Sequence, residues 1–334
     1  MSKLPKPAAQ LLAPVLDMYL DSAIALTGCH AEDRGRASCE LDVLVVGEGG
    51  QQTTSVQIGG ALMDLVFIDE KSALKPPDPE LAASMAHVKP VRDSSLLIST
   101  SSSAAAAMLA DSCKRSTRGR LASSLKSLGR ADEALGRDSA KEADFWLLAG
   151  SYDYAFALLY SRDIVPAPSH LLRQLKDLAR GTARGFEAFS RGAALEKSSR
   201  ISCASRLEGV SVLQDILRGR QVSDSSEGGS WTESRLDIVR GKAQELATRV
   251  EHAESYSFLG QEMVEAILHV ASPPRGDPYS RATKKTADLG QVFAGKKQLL
   301  GDRLLKELGL VRDGPAVANA LGVLRDQVSA LAKK

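Results

Sequence analysis

The feature that most constrains this chain is a pair of short, nearly unbroken apolar runs, each carrying one carboxylate. Residues 41–46 read LDVLVV and residues 61–68 read ALMDLVFI. Both are too short for a buried helix. Both are fenced by glycine: Gly47, Gly49 and Gly50 follow the first, Gly59 and Gly60 precede the second. Continuous apolar runs of this length between turn signals read as strands buried on both faces. Thr54–Ile58, just ahead of Gly59-Gly60, reads as the other arm of a hairpin. Ala23–Leu26, closing on Gly28, is a further strand, and Leu96–Ser99 is a candidate last one. Ahead of them, Pro7 to Tyr19 places Leu11, Leu12, Val15, Leu16 and Tyr19 on one helical face. Lys75–Pro79 is a breaker cluster.

After residue 100 the pattern changes to helix. Ser99–Ser103 (STSSS) reads as a junction, with Ser103 placed to cap a helix from Ala104. Ala140–Arg162 is apolar on several sides and so belongs at the centre of a helical domain. Pro166 and Pro168 end it. Further helices are expected over His170–Arg180, Arg184–Lys197, Ile201–Arg218, Thr232–Ala253, Ser257–Val270, Ala287–Leu308 and Pro315–Ala332. Gln221–Ser230 and Ser272–Ser280 read as loops, the first a possible sub-boundary near 221–231. The expected architecture is α+β: a small mixed sheet with flanking helices over residues 1–100, then a larger all-helical domain over residues 101–334.

Charge follows the same division. The whole chain has 43 Lys and Arg against 41 Asp and Glu, a formal +2. Residues 1–100 carry 8 basic and 13 acidic side chains, so the first part is −5 and the remainder +7. A uniformly basic nucleic-acid coat is excluded, while contact with an anionic ligand is not. Apolar residues are 43% but aromatics only 4%, so the core rests on Leu, Val, Ile and Ala. No run approaches the ~18 apolar residues of a membrane span. Asp17 and Asp21 interrupt the N-terminal apolar stretch, so an amphipathic helix of a cytoplasmic protein without membrane partners is expected. Of the four cysteines, Cys29, Cys39, Cys113 and Cys203, no two form a CxxC pair. That supports neither a zinc knuckle nor a disulfide framework.

Chemistry concentrates around three acids. Glu40 and Asp42 flank Leu41, and alternate strand residues project to one face. Asp64 lies in the other apolar run. If the two strands pair, three carboxylates converge, repel one another and draw in a hard divalent cation such as Mg²⁺. Two such ions would stabilise the attacking and leaving oxygens of a phosphoryl displacement. Upstream, Thr27-Gly28-Cys29-His30 ends a strand, and the glycine allows close approach of backbone to a ligand.

The stretch GCHAEDRGRASCELDVLVV, followed by GGALMDLVFID, resembles the DNA polymerase beta-like nucleotidyltransferase superfamily over about residues 20–100. That family's signature is Gly-Ser, then an acidic–apolar–acidic triplet, then a third acid in a later strand. Gly28 stands at the glycine, Glu40 and Asp42 at the first two acids, and Asp64 at the third. Cys29 stands where the family usually has Ser, and Glu40 where Asp is commoner. The resemblance implies transfer of an NMP from an NTP to an acceptor hydroxyl with release of pyrophosphate. It implies Mg²⁺ or Mn²⁺ on Glu40, Asp42 and Asp64. Gly28 and Cys29 would hold phosphates, and Arg34 and Arg36, in the loop between, would neutralise triphosphate charge. The acceptor is open among a small molecule, a protein and RNA. The two departures keep open an alternative: a weak or inactive member acting as a nucleotide-binding or protein-interaction module.

Other polar residues have plainer readings. Asp69 and Glu70 read as solvated, and His30 as a loop residue. Tyr152, Asp153 and Asp163 read as helix packing and solvated charge rather than a general base, and Lys141 and Arg173 likewise. Nothing in the sequence fixes an oligomeric state.

Overall fold

The computed structural model describes residues 6–32, 34–35, 39–47, 52–58, 61–179, 181, 183–221, 233–249, 251–271, 306–307, 309–310 and 312–333. The chain divides into two compact units. The first comprises Met1–Ser116, Tyr160–Ala167 and Gly228–Lys242; the second comprises Thr117–Leu159, Pro168–Glu227 and Ala243–Lys334.

The first unit is built on one five-stranded mixed sheet. In chain order it has α1 (Lys6–Met18), β1 (Ala23–Thr27), α2 (Gly28–Ala31), β2 (Leu41–Val46), β3 (Gln52–Ile58) and β4 (Ala61–Ile68). Then come α3 (Glu70–Leu74), α4 (Pro79–Met85), β5 (Lys89–Arg92), α5 (Leu97–Ala107) and the start of α6 (Leu109–Gly136). The strand order is β3-β4-β2-β1-β5. β3 and β4 form the expected antiparallel hairpin, with Ile58 opposite Ala61; Gly59 and Gly60 lie outside the described residues. β2 and β4 are parallel, and β1 runs antiparallel to both β2 and β5.

Both faces of the sheet are covered, which explains why β2 and β4 read as unbroken apolar runs rather than alternating ones. On one face Leu12 and Val15 of α1 pack with Ile24, Leu26, Val43, Val45, Met63 and Leu65. On the other, Ala25, Leu44, Val46 and Ile68 pack with Ala73 of α3, Met85 of α4, and Ile98 and Ala105 of α5. Short caps fix the connecting helices. The Asp69 carboxylate accepts the Ser72 amide at 2.6 Å, and Asp78 accepts the Glu80 and Leu81 amides at 2.9 and 2.8 Å. Asp69 is therefore a helix cap and not merely a solvated acid. Arg92 of β5 donates to the Leu16 carbonyl at 2.8 Å and the Ser22 carbonyl at 3.1 Å, tying the end of α1 to the sheet.

Two expectations for the end of this region are corrected. Leu96–Ser99 is not a strand, and the fifth strand is Lys89–Arg92 instead. Nor does Ser103 cap a helix, because it sits inside α5. The physical reason is Asp93. Its carboxylate accepts the Ile98 amide at 3.0 Å and the Ser99 amide at 2.8 Å, so the helix starts several residues early. Ile98, Ser101 and Ala105 then form its buried stripe.

The described part of the second unit is helical: the remainder of α6, then α7 (Ala140–Tyr160), α8 (Leu171–Ala179), α9 (Ala183–Gly192) and α10 (Arg200–Gln221). It continues with the end of α11 (Glu233–Thr248), α12 (His252–Ala271) and α13 (Gly314–Ala332). As its all-round apolarity requires, α7 is central: Phe145, Trp146, Leu147, Leu148 and Ala149 are consecutive and all buried. Its most deeply buried acid, Asp144, is held by Arg312, whose Nε donates to Oδ1 at 2.5 Å. Arg312 also donates from Nη1 and Nη2 to the Arg191 and Gly192 carbonyls at 2.7 and 2.8 Å. The expected loops over Gln221–Ser230 and Ser272–Ser280, and all of the expected helix Ala287–Leu308 but Lys306 and Glu307, lie outside the described residues. Among those described, no helix is long and apolar enough to cross a membrane. The molecule is α+β, a mixed five-stranded sheet with flanking helices together with a helical region.

Candidate metal centre

The parallel pairing of β2 with β4 determines the site. In its register Asp42 stands directly opposite Asp64, so the two carboxylates leave the same face of the sheet side by side. Glu40 precedes β2 by one residue and lies two before Asp42, which puts it on that side too. Each of Glu40, Asp42 and Asp64 offers one carboxylate oxygen, and these oxygens all lie within 4.8 Å of one another. Glu40 and Asp64 are 6% and 7% exposed, and Asp42 is half-buried. At that separation each pair of ionised carboxylates repels by at least about 3.5 kcal/mol at an effective dielectric near 20.

Compensating contacts lie within the first unit. On β3, Ser55 stands opposite Asp64, and its buried hydroxyl donates a short hydrogen bond to Asp64 Oδ1. Across Glu40 lies Lys242 of α11, whose Nζ donates to Oε1 and lies against Oε2. Both side chains of this ion pair are 7% exposed. Lys242 is the residue that the sequence reading missed. Its signal is a cation on a buried helical stripe, since Ile238, Val239, Ala243 and Leu246 are all buried on the same helix. The 202 residues separating it from Glu40 hide the pairing itself.

On the other side of Asp42 is the turn after β1. Thr27 is the register partner of Asp42, so Gly28 arrives beside the carboxylate. Gly28 has φ +65, and a Cβ built on it would come within 1.9 Å of Asp42 Oδ2. This position is glycine for two independent reasons, a left-handed backbone and close packing on a candidate ligand. Cys29 and Cys39 bring their sulfurs within 4.8 Å of each other next to this turn. The hydrogen bond with Cys39 and burial push the Cys29 thiol well above its ordinary pKa, so Cys29 is a neutral thiol at physiological pH. His30 is a loop-organising residue. Its Nε2 lies 3.3 Å from the Cys39 carbonyl, and its ring packs so tightly on Gly35 that an added Cβ there would meet Nδ1 at 2.3 Å.

The remaining candidates fall elsewhere. Arg34 is 53% exposed and pairs with Glu32 at 3.3 Å. Arg36 lies outside the described residues. In the second unit the Tyr152 hydroxyl donates to the Ser257 carbonyl at 2.6 Å, and burial pushes its pKa up to about 12. Asp153 accepts from Arg120 at 2.9 Å. Both contacts lie within the second unit.

The donor set fits a hard divalent cation. All three candidate donors are carboxylates, they converge, and their mutual repulsion would be relieved by positive charge. The two thiols belong to a softer class of ligand and are not part of that set.

No family model matches the chain, and no curated protein matches it. Among solved structures, it is similar to a nucleotidyltransferase-like protein from Exiguobacterium sibiricum, at 9% identity and a TM-score of 0.35, covering 88% of this chain and 89% of that one.

Proposed function

We propose that the chain is a metal-dependent nucleotidyltransferase, moving an NMP from an NTP to an acceptor hydroxyl with release of pyrophosphate. The observation that carries the reading is the in-register placement of Asp42 against Asp64, with Glu40 alongside and all three offering oxygens within 4.8 Å of one another. In this reading Glu40, Asp42 and Asp64 hold Mg²⁺ or Mn²⁺, which when bound supplies charge neutralisation for the triphosphate and lowers the pKa of the acceptor hydroxyl. Ser55 donates to Asp64 Oδ1 and so helps to hold that carboxylate at the centre. The Gly28–Cys29 turn borders Asp42 and is assigned to the phosphates, and Arg34 and Arg36, which follow it in the sequence, are assigned to the triphosphate charge. Phosphoryl-type transfer depends mainly on positioning and charge stabilisation, so a sparse set of side chains suffices. The acceptor is a small molecule, a protein or RNA.

A second reading draws on the Lys242 contact. An ammonium already seated on Glu40 suits a fold kept as a nucleotide-binding or protein-interaction module without transfer activity. Calorimetric titration of the full chain with NTP, with and without Mg²⁺, tests both. The enzyme reading expects Mg²⁺-dependent NTP binding that Asp42→Asn abolishes. Binding that ignores Mg²⁺ and survives Asp42→Asn favours the module.

A further inference from the structure

Cys29 and Cys39 are ten positions apart in the chain, yet the fold brings their sulfurs together. The sulfurs lie within 4.8 Å of each other, and the two thiols share a hydrogen bond. Cys29 is buried and Cys39 half-buried. The segment between them is tied at both ends. The Arg34 amide donates to the Cys29 carbonyl at 2.9 Å, and His30 Nε2 lies 3.3 Å from the Cys39 carbonyl. Gly35 packs against the His30 ring. The thiols are therefore brought together by the backbone and not by a chance rotamer. Each also adjoins the candidate metal centre: Gly28, packed on Asp42, precedes Cys29, and Glu40 follows Cys39.

We propose that Cys29 and Cys39 form a reversible disulfide, and that closing this bond weakens metal binding at the neighbouring carboxylates. The inference rests on the metal-centre reading above, keeps Glu40, Asp42 and Asp64 as the ligands, and adds a regulation of that site. The oxidant is a small-molecule disulfide such as glutathione disulfide. Cys39, the more accessible of the two, attacks one of its sulfurs as the thiolate, forms a mixed disulfide and releases one glutathione thiolate. Cys29 then attacks Cys39 Sγ, forming the protein S–S bond and releasing the second glutathione thiolate. The protons lost by the two cysteines pass to the two departing thiolates, so two protein thiols are oxidised and one disulfide is reduced. Closure draws the sulfurs to about 2.05 Å, well inside a thiol–thiol hydrogen bond. The neighbouring backbone has little room to absorb that movement. A Cβ on Gly28 would already stand 1.9 Å from Asp42 Oδ2, and Thr27 is the register partner of Asp42. Drawing Cys29 and Cys39 together therefore shifts Gly28 against Asp42 or Glu40 away from it.

The test equilibrates the full chain with glutathione disulfide or with a reductant, then removes either by gel filtration. Peptide mass mapping after alkylation reads the Cys29–Cys39 bond, and titration with Mn²⁺, following free ion by electron paramagnetic resonance, reads the centre. The oxidised chain is expected to carry the Cys29–Cys39 disulfide, to bind Mn²⁺ at least tenfold more weakly than the reduced chain, and to recover after reduction. Cys39→Ser cannot form the bond and is expected to bind Mn²⁺ equally after either treatment. Circular dichroism checks that each sample is folded. Cysteines 29 and 39 left as thiols, or held as a mixed disulfide with glutathione, would overturn the pairing. A Cys29–Cys39 disulfide that leaves Mn²⁺ affinity unchanged, or an equal loss in oxidised Cys39→Ser, would overturn the regulation; in all these cases the metal centre stands. No Mn²⁺ on the reduced chain, with or without NTP, would overturn the metal-centre reading and the regulation with it.

Discussion

Replacing Gly28 with alanine probes the point where backbone and candidate ligand meet. Gly28 has φ +65, a conformation that costs an alanine about 1–2 kcal/mol. The new Cβ would also stand 1.9 Å from Asp42 Oδ2 and 2.7 Å from Asp42 Cγ. Asp42 must then leave its rotamer, at a further cost of about 0.5–1.5 kcal/mol. Together these amount to about 1.5–3.5 kcal/mol, or roughly a 10- to 400-fold rise in local opening. Hydrogen exchange read by mass spectrometry on peptides spanning β1 and β2 is the appropriate assay, since it reports the sheet without requiring both units to unfold together. A double-mutant cycle isolates the steric part. In an Asp42→Ala background the clash is gone, and Gly28→Ala should cost only the backbone share, leaving a coupling of about 1 kcal/mol. Equal costs in both backgrounds would refute the packing of Gly28 on Asp42.

Two further predictions follow from the scaffold. For Asp93, burial raises the pKa, but the Ser99 hydroxyl and the Ser99 and Ile98 amides more than offset it, so the folded value lies below the ordinary one. Its contribution is present above the unfolded carboxylate pKa of about 3.9 and is lost as pH falls through the folded value. Asp93→Ala should cost about 1 kcal/mol at pH 7, with the deficit shrinking below about pH 4; a deficit that grows on acidification would contradict this. Arg312→Met should destabilise the second unit by about 3–5 kcal/mol by leaving Asp144 buried and unpaired. Arg312→Met/Asp144→Leu should recover most of that loss in chemical denaturation, and a double variant as unstable as the single one would show that the ion pair is not the cause.

The sheet was legible because burial on both faces forces unbroken apolar runs. LDVLVV and ALMDLVFI could be little else, and the acids within them were conspicuous for the same reason. Glycine spacing gave the β3–β4 connection, and the all-round apolarity of α7 gave its central place. What escaped depended on contacts between distant or unusual partners. Asp93 starts α5 through side-chain acceptance of two amides, which overrides the weak helix preference of a serine-rich segment. Register cannot be read from composition, so the opposition of Asp42 and Asp64 was an expectation conditional on strand pairing. Lys242 was invisible as a partner of Glu40 because no local pattern links two residues 202 positions apart.

Transfer itself is the most direct test of the central claim. The full chain would be incubated with NTPs labelled at the α-phosphate, Mg²⁺, and a panel of small-molecule, protein and RNA acceptors, beside Asp42→Asn and Asp64→Asn. Metal-dependent labelling of an acceptor by wild type, lost in both variants, is the expected result. Labelling that persists at full rate in either variant, or proceeds without a divalent metal, would contradict the assignment of these carboxylates to nucleotidyl transfer.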